Sequence, residues 1–173
     1  MARASVKENK NIYHLTRESL DLTREKAGEL LEGMSPERIE KIENERIIPH
    51  PEDILIMAKG YKAPHLCNHY CSRQCPIGQE YVPEIKTSEL SQIVLEMLAH
   101  LNSMNSEKDR LVEITYNGRI DSHEMDDFIR IQQKLEHISV ATEALQLWCE
   151  KMLATGAIDK AEYEVRKRNI SSK

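Results

Sequence analysis

Three of the four cysteines lie close together in the chain, at Cys67, Cys71 and Cys75. A spacing of four residues places side chains on one stripe of an α-helix. Thiolates bind zinc and iron–sulfur clusters, so three on one stripe could hold either group with one further ligand. The spacing differs from the Cys-x2-Cys knuckles of standard zinc fingers.

The fourth cysteine, Cys149, is the candidate for that further ligand. If the C-terminal helices fold back on each other near Gly118, Cys149 returns to the base of the hairpin, next to the cysteine-rich helix. His65 and His69 are alternative ligands. The cysteines could instead be small buried hydrophobic residues that pack this helix. Two hypotheses therefore stand: a metal or redox centre, and core packing.

A second set of residues, between positions 22 and 43, has types and spacing suited to a DNA-binding element. Thr23 and Ser35 each precede a short helical pattern, where a hydroxyl can accept from free backbone N–H groups. Gly33 can take the left-handed conformation that ends the first helix, and Pro36 fits the first turn of the second. The pattern predicts a helix-turn-helix. Its predicted inner face is Ala27, Leu30, Leu31, Met34, Ile39 and Ile42.

Residues 10–65, about a third of the chain, resemble the phage-repressor (Xre/Cro-like) helix-turn-helix family. The resemblance implies a five-helix domain that binds operator DNA as a homodimer, with the third helix in the major groove. The matching residues are Leu22 to Glu25, Ala27, Leu31, Gly33 to Ser35, Ile39, Ile42, Glu43 and the segment from Pro49 to Ala58.

The family's DNA-contacting positions fall on one residue of the second helix and several of the third. Compared with the family pattern, the chain has one extra residue near Glu32 in the turn and a glycine, Gly28, inside the second helix. The basic residues could instead be surface partners of nearby glutamates, as Glu37 is of Lys41. The positions that the resemblance implies are Arg24, Pro36, Glu37, Arg38, Glu40 and Lys41, with Ser35 and Asn44 as phosphate contacts.

Charge and composition restrict the function classes. The net charge is −5; residues 1–64 carry eleven basic and twelve acidic groups, so DNA binding must depend on a local basic patch. Without an apolar run of bilayer length or a secretion signal, the sequence predicts a cytoplasmic protein with no membrane partner. It contains no glycine-rich phosphate loop and no histidine paired with a nucleophile, so we expect no enzyme.

Few aromatic residues and sparse glycine and proline favour an all-α fold. We expect a helix-turn-helix domain with a cysteine-rich fifth helix at 1–78, a linker at 79–87 and an antiparallel helical hairpin at 88–173 that forms the dimer. Heptad spacing predicts the line of contact between the two long helices. The predicted contact positions are Leu90, Val94, Met97, Leu101 and Met104 on the first helix, and Phe128, Ile131, Leu135, Ile138, Thr142, Leu145, Cys149 and Met152 on the second. Candidates for contact with a partner copy are Trp148, Leu147, Val140 and Ile129.

The pattern Gly-x-Ile-Asp-x-x-Glu occurs twice, beginning at Gly118 and at Gly156. Each copy can end one helix with glycine and cap the next with aspartate and glutamate. A calcium loop is the alternative, but the residues at its first two ligand positions are wrong for an EF-hand. The pattern therefore predicts two helix boundaries.

The sequence as a whole predicts a sequence-specific regulator that binds double-stranded DNA as a homodimer. One alternative is a helical adaptor, antitoxin-like or phage-derived, that contacts proteins and not DNA. The other is a metal- or redox-sensing regulator that uses Cys67, Cys71, Cys75 and Cys149.

Overall fold

The computed structural model describes residues 9–86, 88–116 and 118–171, in which α-helices are joined by turns and loops and no strand occurs. Within these ranges, no helix combines the length and apolar character needed to cross a bilayer. The helices are α1 Ile12–Ser19, α2 Arg24–Leu30, α3 Pro36–Glu43, α4 Pro51–Gly60, α5 His65–Arg73, α6 Pro76–Tyr81, α7 Leu90–Asn105, α8 Lys108–Thr115, α9 Met125–Thr155 and α10 Lys160–Ser171.

The chain divides into two compact units. The first contains residues 1–84 together with 149–173, and the second contains residues 85–148. This division differs from the predicted one, because the last 25 residues group with the N-terminal helices and not with the second unit.

The first unit has one hydrophobic core. It is supplied by α1 to α5 and the turns between them, with α2 packing against α3 and α4 against α5. Of the predicted inner positions on α2 and α3, Leu30 is wrong, since its side chain is 47% exposed while that of Leu31 is buried. The buried core residues are Tyr13, Ala27, Leu31, Met34, Ile39, Ile42, Ile54, Met57, Ala58, Tyr61, Ala63 and Leu66.

The predicted fifth helix is two helices. α5 ends at Arg73, and Cys75 is the N-cap residue of α6, which runs to Tyr81. Pro76 explains the break, since a residue that precedes proline is disfavoured in helical conformation and proline suits a first turn. The prediction that Cys75 continues a helical stripe from Cys71 is therefore wrong, and the predicted linker at 79–87 begins with helix.

In the second unit, the predicted line of contact is displaced by one residue at several points. Ile93 is buried at 2% exposure, whereas Val94 and Leu101 are exposed. On α9, the predicted Ile131 is buried, whereas Leu135 is 45% exposed and Ala141 is buried in place of Thr142. A shift of one residue turns a helix by about 100°. Because α7 is apolar on several sides, its spacing fits more than one register.

Polar contacts also join α7 and α8 to α9 within this unit. The rings of His100 and His137 lie 5.1 Å apart between centroids. Lys134 donates to the Glu107 carboxylate at 2.7 Å. Arg110 Nε donates to Asp127 at 2.8 Å.

Both copies of the repeated pattern lie at helix boundaries. Gly118 and Gly156 have positive φ, at 69° and 80°. The Glu124 carboxylate accepts from the Asp121 backbone N–H, just before α9. The Asp159 carboxylate accepts from the backbone N–H of residue 162 at the start of α10. The predicted role of the pattern in ending and starting helices is confirmed by these contacts.

Candidate nucleic-acid interface

The start of each helix in the α2–α3 pair is fixed by its N-cap. Thr23 Oγ1 accepts from the Lys26 N–H at 3.3 Å, and Ser35 Oγ accepts from the Arg38 N–H at 3.3 Å. Pro36 is in the first turn of α3. Both caps are as predicted. In each, the side-chain oxygen accepts from the backbone N–H of the residue three positions later.

Two glycines allow the turn between α2 and α3. Gly33 has φ +91°, the left-handed conformation that glycine adopts without strain. A Cβ at Gly28 would lie 3.0 Å from Cδ of Pro36, so the absent side chain allows α2 to approach the first turn of α3 closely. Gly28 thus has a packing role that offsets its low helix propensity.

The third helix has one buried side and one outer side. Ile39, Ile42 and Glu43 are buried, while Glu37 and Lys41 are exposed. Arg38 and Glu40 are intermediate in exposure. Of the other predicted contact positions, Ser35 is exposed and Pro36 and Asn44 are half-buried.

Arg24 is held by a contact from the start of α2 to the end of α3. Its Nε donates to Oε2 of Glu43 at 2.9 Å. Among the residues that the structure describes, none accepts a hydrogen bond from its two terminal nitrogens. The side chain is 31% exposed, so these nitrogens are available to an external acceptor.

Glu43 also binds a second arginine, which the sequence analysis did not single out. Arg17 donates to it through Nε at 2.5 Å and through a terminal nitrogen at 3.0 Å. The Arg17 and Glu43 side chains are 7% and 0% exposed. His14 is buried beside them, with Nε2 3.0 Å from Glu18 and Nδ1 3.9 Å from Glu43. A sequence signal was present: Glu43 follows inward-facing Ile42, and a charged residue at such a position needs a partner.

Arg38 is paired with α4. Its Nε and a terminal nitrogen donate to the two carboxylate oxygens of Asp53 at 2.7 and 2.6 Å. Burial acts to raise the pKa of Asp53, but hydrogen bonds from Arg38 and from the His50 N–H outweigh it and lower the pKa below its ordinary value. The Asp53 hydrogen bonds also raise the pKa of Arg38. Arg38 therefore has a structural partner 15 positions away in sequence, not the nearby glutamate that was the alternative.

The remaining charges on α3 alternate in sign. Glu40 accepts from Asn44 at 3.3 Å and from Arg46 at 3.4 Å. Hydrogen bonds from its own backbone N–H and from Ser35, with a smaller effect of the Lys41 charge, lower the pKa of Glu37. The outer side of α3 thus carries acidic and basic side chains together.

All four predicted metal ligands lie in the first unit. Cys67 and Cys71 lie on α5, and Cys75 caps α6 close by. Burial raises the pKa of both Cys67 and Cys71, and the neighbouring thiols raise it further. Burial thus favours the protonated thiol at both positions, whereas a bound metal would favour the thiolate.

Cys149 lies near the end of α9, and it raises the pKa of Tyr163 on α10. The charge of the next residue, Glu150, raises the pKa of Cys67. In the described ranges, only Asp121, His123 and Glu124 bring three metal-binding atoms within 4.8 Å of one another. A metal or redox centre at the four cysteines stays a prediction.

The chain was compared with protein-family models, with curated proteins and with solved structures, and none of the three comparisons gave a match.

Proposed function

We propose that this protein is a sequence-specific, double-stranded DNA-binding transcriptional regulator of the phage-repressor type, with α3 in the major groove. The Arg24–Glu43 hydrogen bond carries the proposal, because it holds cationic Arg24 beside the last turn of α3, where Lys41 is exposed. A cation at the start of one helix and another at the end of the next suit contact with base edges and phosphates. Such a role places the protein in the cytoplasm, with the chromosome.

The regulator acts as a homodimer in this proposal. We infer a hairpin of α7 and α8 against α9, supported by contacts of residue 100 with 137, 107 with 134 and 110 with 127. Along this series the residue numbers rise from 100 to 110 on the α7–α8 side and fall from 137 to 127 on α9, which is the order expected of antiparallel helices. Of the predicted outer positions, Ile129 is 44% exposed, and Val140, Leu147 and Trp148 are half-buried.

The test is selection of bound duplexes from a random DNA pool, followed by binding measurements over a series of salt concentrations. We expect a recovered consensus sequence and an affinity that falls steeply with salt. Lys41→Ala should weaken binding to all sequences and reduce the salt slope by about 1, as loss of one phosphate contact does. Lys108→Ala, at a lysine of α8 in the other unit, is the matched control and should change neither quantity. A pool without enrichment would contradict the proposal.

A second candidate is the protein-binding adaptor, and the ion pairs favour it. Arg24 and Arg38 both contact carboxylates, and Glu37 and Glu40 add negative charge to α3. An adaptor of this kind would bind basic peptides and no duplex. Selection from a random peptide library should then recover basic sequences, and Glu37→Lys should abolish their binding. Recovery of duplexes and not peptides would exclude it.

A refinement of the first candidate gives the regulator a metal or redox sensor at the cysteines. Its support is the proximity of the three thiols: Cys71 raises the pKa of Cys67, and Cys75 raises the pKa of Cys71. Protein purified without oxygen should then carry stoichiometric zinc or iron, and Cys71→Ser should lose it. Metal-free protein with an equally stable Cys71→Ser variant would contradict the refinement.

A further inference from the structure

Two histidine rings meet across the contact between α7 and α9. The ring centroids of His100 and His137 lie 5.1 Å apart, and the ring planes are inclined by 43°. Histidine is the commonest metal ligand in proteins, and it binds an ion through either ring nitrogen. Among the residues that the structure describes, neither ring takes part in a hydrogen bond or an ion pair. We call these two residues the histidine pair.

The separation of the two rings fits a shared metal ion. Zinc binds imidazole nitrogen at about 2.0–2.1 Å in tetrahedral geometry, which puts the centroids of two imidazoles on one ion roughly 5 Å apart. Their planes are not fixed by this arrangement, because each ring can turn about its own metal–nitrogen bond. Ring packing alone also allows this separation, since aromatic pairs have centroids about 4.5–7 Å apart. Burial and neighbouring charges must therefore favour one of the two.

Contacts on both sides of the histidine pair hold α7 and α9 at this separation. On one side, Lys134 of α9 donates to the backbone carbonyl of Ser103 of α7 at 3.3 Å. On the other side, Ile93 of α7 and Ala141 of α9 are buried. These four residues lie within about two helical turns of the histidines. The fold has thus already brought the two ligands together, so binding an ion needs little rearrangement of the backbone.

The exposure of the histidine pair favours a ligand site over ring packing. His100 is half-buried and His137 is exposed, so contact between their rings covers little apolar surface. The same exposure lets a hydrated ion reach the pair and keep water in its remaining positions. Lys134, one turn before His137, is paired with Glu107 at 2.7 Å, so its positive charge is offset.

We propose that the histidine pair binds a divalent transition-metal ion of the zinc class and that the ion links α7 to α9. Imidazole suits zinc, copper and nickel, whereas magnesium and calcium take oxygen ligands, so the pair selects the first class. Two histidines and two waters complete a tetrahedral zinc site. The site goes beyond the proposed regulator, because it lies in the second unit, contains none of the four cysteines and does not require DNA binding.

The first test counts bound zinc in the full-length chain by equilibrium dialysis against zinc chloride. His100→Gln and His137→Gln should each lose one zinc ion, with the affinity of that site lowered at least about 10-fold. The variant with both changes should lose no more zinc than either single variant, because one ion needs both ligands. Single variants that bind as much zinc as the parent would overturn the proposal.

The controls address the other candidate ligand groups. His123 belongs to the group of Asp121, His123 and Glu124, whose ligand atoms lie within 4.8 Å of one another. His123→Gln and Cys71→Ser are the two control backgrounds, and in each of them the added change His100→Gln should still remove one ion. Zinc that depends on residue 123 or 71 and not on residue 100 would place the ion elsewhere and overturn the proposal.

The second test uses the parent chain alone, so it does not depend on the folding of a variant. The ring nitrogens of all histidines are followed by NMR during a titration with zinc chloride. The signals of His100 and His137 should shift together and saturate at the same zinc concentration, because a single ion binds both rings. Two unchanged rings, as expected of ring packing alone, or a shift of only one ring would overturn the proposal.

The third test measures the link between the helices. An ion that binds only the folded chain stabilises it, so zinc should raise the melting temperature of the parent more than that of His100→Gln. Equal rises would overturn the link. Zinc at the histidine pair in a protein that enriches no duplex would support this site and contradict the regulator. Enriched duplexes from a protein whose histidine pair binds no zinc would do the reverse.

Discussion

Glu43 is the most constrained charged residue of the first unit. It is fully buried and accepts hydrogen bonds from Arg17 and Arg24. Glu43→Gln removes the buried negative charge that pairs with Arg17, which is itself 6% exposed. Breaking a buried pair in this way costs about 3–5 kcal/mol. We expect a loss of this size in the free energy of unfolding, measured with urea.

The control for that experiment is Glu40→Gln. Glu40 is three residues earlier on the same helix, but its side chain is 39% exposed and its contact with Arg46 spans 3.4 Å. Exposed pairs contribute about 0–1 kcal/mol, so this variant should be nearly as stable as the parent. Equal stability of both variants would show that Glu43 is not the anchor of the two arginines.

Asp53 predicts an acid-sensitive contribution to stability. Burial acts to raise its pKa, but the hydrogen bonds from Arg38 and His50 outweigh burial, so the pKa is lower in the folded protein than in the unfolded chain. The contribution is therefore fully present above the unfolded value near 3.8 and is lost as pH falls through the lower folded value. In Asp53→Asn, the loss of unfolding free energy on acidification from neutral pH to below that unfolded value should be smaller than in the parent.

The neighbouring acid of the same turn supplies the comparison. Glu52 is exposed, and Glu52→Gln should keep the pH dependence of the parent. The amide introduced by Asp53→Asn retains an oxygen that can accept from the His50 N–H, so the helix start is preserved. An unchanged acid dependence in Asp53→Asn would mean that another carboxylate controls it.

At the residue scale, the sequence predicted what depends on near neighbours. The caps at Thr23 and Ser35 involve groups three residues away, and both were predicted correctly. The partners of Arg24 and Arg38 lie 19 and 15 positions away. Local patterns carry no information about such pairs, because they depend on how helices are packed. Contact of Arg24 and Arg38 with DNA therefore stays a prediction. Each of these arginines also binds a carboxylate, Glu43 and Asp53 respectively.

At the element scale, the α5–α6 pair depends on the absence of one side chain. A Cβ at Gly78 would lie 2.1 Å from the Cys71 carbonyl oxygen and 2.9 Å from its Cα. These are backbone atoms of α5, which cannot rotate away as a side chain would. Gly78→Ala should therefore separate α6 from α5 and cost about 1–3 kcal/mol, the range for overpacking, despite the better helix propensity of alanine.

Thermal unfolding followed by circular dichroism measures this effect. Glu80→Ala, at an exposed position of the same helix, is the control and should not lower the melting temperature. A Gly78→Ala protein as stable as the parent would show that α6 has room to move.

Helix boundaries and registers differed in how well the sequence predicted them. α2 and α3 begin at the expected caps, Thr23 and Ser35, and α3 has the expected Pro36 in its first turn, because capping residues and proline act locally. On α7, the predicted contact line is displaced at Val94 and Leu101, which are exposed, because apolar residues on several sides of this helix fit more than one register.

At the scale of the whole molecule, the net charge of −5 and the proposed dimer together restrict how DNA can be bound. An acidic protein gains little from its overall field, so affinity must come from a few contacts made by two copies at once. A two-fold dimer reads a palindromic operator, with half-sites about 34 Å or a multiple of that distance apart. We therefore expect duplexes selected by the parent to contain paired inverted half-sites at a fixed spacing.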